Sequence, residues 1–193
     1  MILVTTLMSM TLVLALGTTV LLTTMTETAI AASHRESHQT FYAAEAAVHY
    51  AVQDLGAVAD WRVVIREGRT SSFVDGPADG VRTVGATVID LSRATDDVGS
   101  LTLEGRNPLP WQLYAFGRLD DMLAMGPTGP PTYVVVWIVE RTGKPQDEVV
   151  AIVGQAYGSG GSRRTVEVTV RRRRSAPDED SEQPQVLSWR ELR

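Results

Sequence analysis

The sequence has no cysteine, one lysine and three histidines in 193 residues, and no charged residue of either sign falls in its first 26 positions. Without cysteine there is no disulfide scaffold, thiolate zinc site or cysteine nucleophile. At 44% apolar residues the chain is too hydrophobic to be intrinsically disordered, and its length fits one domain of about 100–200 residues. The 23 acidic and 18 basic residues, net −5, begin only at Glu27. The start of the chain is thus a different material from the rest.

As a helix, the uncharged stretch Met1 to Thr26 would be about 39 Å long at about 1.5 Å per residue, against a hydrocarbon core of roughly 30 Å. It carries Leu3, Leu7, Leu12, Leu14, Leu16 and Leu21 among threonines such as Thr5. Threonine hydroxyls can bond the carbonyl three or four residues back, which makes them tolerable in lipid. Gly17 is the one weak point. A cleaved secretory signal is the rival reading, since Ala29-Ile30-Ala31 before Ala32 has the small-x-small form of a cleavage site. Against it, no Lys or Arg precedes Arg35 and the apolar run exceeds the usual 7–15 residues by about twofold.

Helical patterning continues beyond the apolar stretch. At 100° per residue, Ile30, Ser33, Ser37, Phe41, Ala44, Val48, Ala51, Val52 and Leu55 share a stripe about 100° wide, with charged and polar residues opposite. No proline or glycine interrupts Thr18 to Leu55, and Gly56 offers a stop. One helix of about 55 residues is expected, apolar in its first half and amphipathic in its second. Phe41, Ala44, Val48, Val52 and Leu55 are its expected contacts with a sheet.

After Asp60-Trp61 the composition turns to β-branched residues and turn formers. Val81 to Leu91, Trp111 to Phe116, Tyr133 to Val139, Val149 to Tyr157, Arg163 to Val170 and Val186 to Trp189 read as strands. Tyr133 to Val139 is apolar throughout and is expected at the centre, one face on the helix and the other under loops. Val166, Val168 and Val170 alternate with polar residues, so their strand is expected to cover the core on one side only. Gly158 to Gly161 reads as a hairpin turn. Pro127 to Pro131 reads as a loop tip that leaves Leu123 and Met125 exposed. The expected organisation is 1–26 apolar half-helix, 27–58 amphipathic half-helix, 59–176 antiparallel β-domain, 177–185 acidic surface loop and 186–193 closing strand.

A resemblance then emerges from the residues in order. A threonine-rich apolar segment, then Thr26-Glu27-Thr28-Ala29-Ile30-Ala31-Ala32 and Tyr42-Ala43-Ala44-Glu45-Ala46-Ala47, is similar to the start of PilX-type minor pilins of bacterial type IV pili. Ala47 stands where that family usually has glycine. Downstream, Asn107 to Gly117 around Trp111, Tyr133 to Trp137, Ala156 to Glu167 with Gly158 and Arg164, and Leu187 to Glu191 with Trp189 also resemble segments of such proteins. The resemblance implies a pilin-like α+β fold, one long N-terminal helix packed on an antiparallel sheet. It also implies an assembly role for the apolar half-helix through Leu3, Thr5, Leu7, Leu12, Leu14, Leu16 and Leu21. Thr5 stands where major pilins would have glutamate if Met1 were the mature start, an arrangement that resembles tip subunits. The family's leader is short, basic and ends in glycine; Met1 is expected either to approximate the mature start or to follow upstream codons that encode such a leader.

The implied partners are other pilins and minor pilins, the inner-membrane assembly machinery, membrane lipid before assembly, a tip adhesin and, given a leader, a prepilin peptidase. The implied location is the inner membrane, with the β-domain periplasmic, and then a pilus or pseudopilus at the cell surface.

Chemistry-bearing constellations are few. His34 and His38 have i, i+4 spacing, but Glu36 lies about 200° around the helix from His34 and His49 about 16 Å along the axis from His38, so neither completes a metal site. No Gly-Lys-Ser/Thr follows the glycine turn, which sets aside a phosphate loop. Arg171 to Arg174 could meet phosphate, DNA or anionic lipid, but Asp178, Glu179, Asp180 and Glu182 follow and balance it, so a self-neutralising surface loop is expected and no nucleic acid. The pairs Asp96-Asp97 and Asp120-Asp121 lack acid/base geometry, and neither they nor Asp147-Glu148 alternate as a calcium loop would. The expectation is a non-enzymatic protein without cofactor or metal. The alternatives are a signal-anchored binding domain and a secreted β-protein.

Overall fold

The computed structural model describes residues 2–101, 110–124, 126, 129–141, 147–173 and 184–192. Met1, Asn107-Pro108-Leu109, Met125, Pro127, Arg174 and the acidic run Asp178 to Glu182 lie outside the described residues.

The first element is α1 (Ile2–Gly56), a single α-helix of 55 residues. In its uncharged part the threonines behave as their chemistry requires: Thr18 donates to the Leu14 carbonyl at 2.7 Å, Thr19 to Ala15 at 2.9 Å and Thr23 to Thr19 at 3.0 Å. Their hydroxyls are satisfied within the helix, so what faces outward is methyl and aliphatic surface. The chain forms two compact units, Met1–Glu36 and Ser37–Arg193, with the boundary inside α1.

Within Ser37–Arg193, α1 is followed by α2 (Trp61–Glu67), β1 (Val81–Val84), β2 (Thr87–Asp90), α3 (Leu91–Leu101), β3 (Gln112–Arg118), α4 (Leu119–Met122), β4 (Thr132–Arg141), β5 (Asp147–Gly158), β6 (Arg163–Arg173) and β7 (Gln185–Leu192). The last five strands form one antiparallel meander in the order β3-β4-β5-β6-β7, and β1 and β2 form a separate hairpin. The α+β class therefore stands, a long N-terminal helix on an antiparallel sheet.

Alternation along the strands gives the sheet two buried faces. Val134, Val136 and Ile138 of β4, Val150, Ile152 and Ala156 of β5 and Val166, Val168 and Val170 of β6 join Ala43, Ala44, Ala47, Val48, Ala51 and Leu55 of α1 in one core. Tyr133, Val135, Trp137, Val153 and Tyr157 form a second core with Val84, Ile89, Leu91, Ala94 and Val98.

Several expectations change. Val81 to Leu91 is not one strand: Gly85, at φ 56, turns the chain into a hairpin, and the Asp90 carboxylate accepts from the Arg93 amide at 3.1 Å to start α3. Trp61 opens a short helix, with Asp60 capping the Arg62 amide and Gly68 closing it at φ 66. Among the described residues, the 59–176 region thus holds α2, α3 and α4 beside its strands. The central strand is β5, not β4; β4 is buried on both faces as expected, but a helix and a hairpin cover its second face rather than loops. β6 buries its polar side too, through Thr165 and Glu167.

Candidate functional site

The uncharged part of α1 buries nothing in its own unit. Leu3, Leu7, Leu12, Leu14, Leu16 and Leu21 are each at least 60% exposed, and Thr5 and Glu27 are exposed as well. The helix is long and apolar enough to cross a membrane, with a hydropathy of 1.8 over its most apolar window. An aliphatic surface of this extent is of the kind that lipid or other helices cover.

The second part of α1, from Ser37, is seated on the sheet. Ala44, Val48 and Leu55 are buried as expected, while Phe41 and Val52 are half-buried on the flank. The buried stripe is rotated from the expected one: Thr40, Ala43 and Ala47 are inside, whereas Phe41 and Val52 are on the flank; Ile30 and Ser33, ahead of the seated part, are exposed. The reason lies in Gly154, at the middle of β5 between Val136 and Val166. A Cβ there would stand 2.5 Å from Val48 Cγ2 and 2.8 Å from the Ala44 carbonyl oxygen. The helix backbone reaches the central strand at a position without a side chain, with Ala43, Ala44, Ala47 and Ala51 buried beside Val48 along that line. Sequence reasoning missed Gly154, although an isolated glycine in a β-branched run is the usual sign of such an approach.

Polar contacts fix the helix's register. Arg164 donates to the Ser37 hydroxyl and to Glu191 at 2.9 Å, tying α1, β6 and β7 together. Thr40 and Ser162 hydroxyls meet at 2.5 Å, and the Tyr114 hydroxyl donates to Asp54 at 2.6 Å. Burial, helped by the Asp54 carboxylate, pushes the Tyr114 phenol well above its usual range. Burial and Asp75 do the same for Tyr133, which donates to Asp75 at 2.8 Å. The Tyr157 phenol is pushed up to about 12, mainly by burial.

The arginine run is not the surface loop expected of it. Arg171 to Arg173 lie in β6, and Arg172 is buried where α1 ends. Arg172 donates to Glu148 at 2.6 Å and to the Val58 and Ala59 carbonyls at 2.6 and 3.0 Å, with its Cζ 4.6 Å from the Trp61 ring centroid. A planar guanidinium suits this place because its fan of donors meets a carboxylate and two carbonyls at once while its face rests on an indole. Glu167, also buried, lies between Arg141 at 3.3 Å and Arg190 at 2.7 Å.

The other marked residues are spread over the domain rather than gathered. The Trp137 indole donates to Thr95 at 2.9 Å, Trp111 lies under Arg141, and Gly158 closes the β5–β6 hairpin through its amide to the Ser162 carbonyl at 2.8 Å. Tyr42 is exposed, and Trp189 packs edge-on against Phe41 with centroids 5.9 Å apart. His34, His38 and His49 are exposed, and among the described residues no group of three or more His, Asp or Glu is placed to hold a metal. Asp96-Asp97 lie in α3 and Asp120-Asp121 in the first turn of α4.

No curated protein and no solved structure matches the chain. Residues 1–49, which comprise the exposed apolar segment and the start of the seated one, match the family model described as PilX N-terminal.

Proposed function

We propose that the protein is a non-enzymatic minor pilin that takes part in assembling a type IV pilus or a related filament. The observation that carries this reading is the division of labour along α1: an aliphatic segment with self-satisfied threonines, then a segment of small residues seated on Gly154 of the β-domain. In this account the first segment rests in the inner membrane and then packs against helices of neighbouring subunits, where small residues and threonine allow close approach. The second carries the β-domain, which faces the periplasm and later the cell surface, where it meets other minor subunits or an adhesin.

Deleting the gene in the native host and restoring it in trans tests the reading. Wild-type complementation should restore filament number by electron microscopy, whereas Leu14→Arg, a charge in the middle of the apolar segment, should not. Unchanged piliation in the deletion strain would favour a signal-anchored binding domain instead.

A further inference from the structure

Beside the seated half of α1, a groove opens between the helix and β7. Glu45, Val48, His49 and Val52 line it from the helix, and Val168, Val186 and Trp189 from the sheet. Its volume is ≈ 60 Å³, room for the stem of one side chain rather than for a helix. Trp189 is 48% exposed and Val186 54%, and Phe41, one turn before Glu45, holds the indole edge-on at 5.9 Å.

The carboxylate is the informative member. Glu45 is half-buried at the mouth of an apolar groove and forms no hydrogen bond or ion pair with any described residue. His49, one turn along α1 from Glu45, also lines the groove, while the guanidinium of Arg164 is held by Ser37 and Glu191 and that of Arg190 by Glu167. A purely aliphatic occupant would strip water from this carboxylate and return nothing to it. An anionic lipid headgroup would be repelled. Strand addition to β7 is opposed by the irregularity opposite Thr169/Val170 and by the charges of Arg190 and Glu191, devices that blunt an edge.

We propose that the groove receives an arginine side chain of a second polypeptide, its stem along Val52, Val186 and the Trp189 ring and its guanidinium on Glu45. The chemistry is charge complementarity joined to cation–π contact, and the guanidinium suits both because it is planar and weakly hydrated.

The test uses the full chain in detergent micelles and a short peptide, acetyl-Val-Arg-Val-amide, with its neutral isostere in which citrulline replaces arginine. Binding is followed by the indole resonance of Trp189 in NMR spectra. The arginine peptide should shift that resonance saturably and bind at least tenfold more tightly than the citrulline peptide. Glu45→Gln should abolish the difference while leaving the far-UV spectrum and melting temperature unchanged. Trp189→Leu, a second variant that keeps the groove apolar, should weaken the arginine peptide more than the citrulline one. Equal binding of both peptides, no binding by either, or an unchanged preference in Glu45→Gln would each overturn the proposal.

Discussion

Replacing Gly154 by alanine puts the seating of α1 to a quantitative test. In an ordinary strand the change removes a flexible residue and stabilises the protein by roughly 0.5–1 kcal/mol. Here the added methyl carbon would stand 2.5 Å from Val48 Cγ2 and 2.8 Å from the Ala44 carbonyl oxygen. Val48 can change rotamer, but the Ala44 carbonyl belongs to the helix backbone, so α1 has to lift off the sheet. Overpacking of this kind costs about 1–3 kcal/mol, and for a unit of this size each kcal/mol lowers Tm by about 2–4 °C. The expected result is a Tm lower by roughly 2–12 °C in thermal unfolding followed by tryptophan fluorescence. Adding Val48→Ala should recover only part of the loss, because the carbonyl contact remains, and the coupling energy should be about 0.5–3 kcal/mol. Gly99→Ala in α3 is the control: a Cβ there meets nothing within 4 Å, and the variant should be more stable than wild type. A Gly154→Ala protein as stable as wild type, or more so, would refute the close approach.

Arg172→Ala leaves Glu148 buried without its cation and frees the Val58 and Ala59 carbonyls, so urea unfolding should show a loss of about 3–5 kcal/mol, far beyond that of the exposed Arg69→Ala. Val48→Asp buries an unpaired charge in the helix–sheet core and should cost at least about 4 kcal/mol, detaching the domain from the helix; a variant that kept its Tm and its piliation would count against this role. Folding raises the pKa of Tyr114, Tyr133 and Tyr157, so the stability they confer is complete below about pH 10 and is lost as pH rises through about 12 and beyond. Absorbance at 295 nm should therefore show these phenols ionising together with unfolding, and ionisation near pH 10 in an intact fold would contradict it.

The long helix was legible because nothing in it breaks a helix and its apolar character changes once, at Glu27. The strands of the meander were legible from Val134 to Ile138 and from Val166 to Val170, where β-branched residues crowd or alternate. The rotation of the buried stripe was not, because it depends on another element: Gly154 of β5 lets the helix backbone at Ala44 and Val48 come close to the sheet. The hairpin before α3 was hidden for a related reason, since Val84 and Ile89 fit a continuous strand as well as two short ones and Gly85 decides between them through its φ. Arg172 was misread because charge runs usually lie in water. Its burial depends on Glu148, Trp61 and the carbonyls after α1, which converge on it only in three dimensions.

The most direct measurement of the account is mass spectrometry of filaments sheared from the native host and purified away from membranes. The account predicts peptides of this protein in the filament fraction, at low abundance relative to the main subunit, with loss of both upon Leu14→Arg. Filaments that lack the protein, while all of it stays in the membrane fraction, would contradict it.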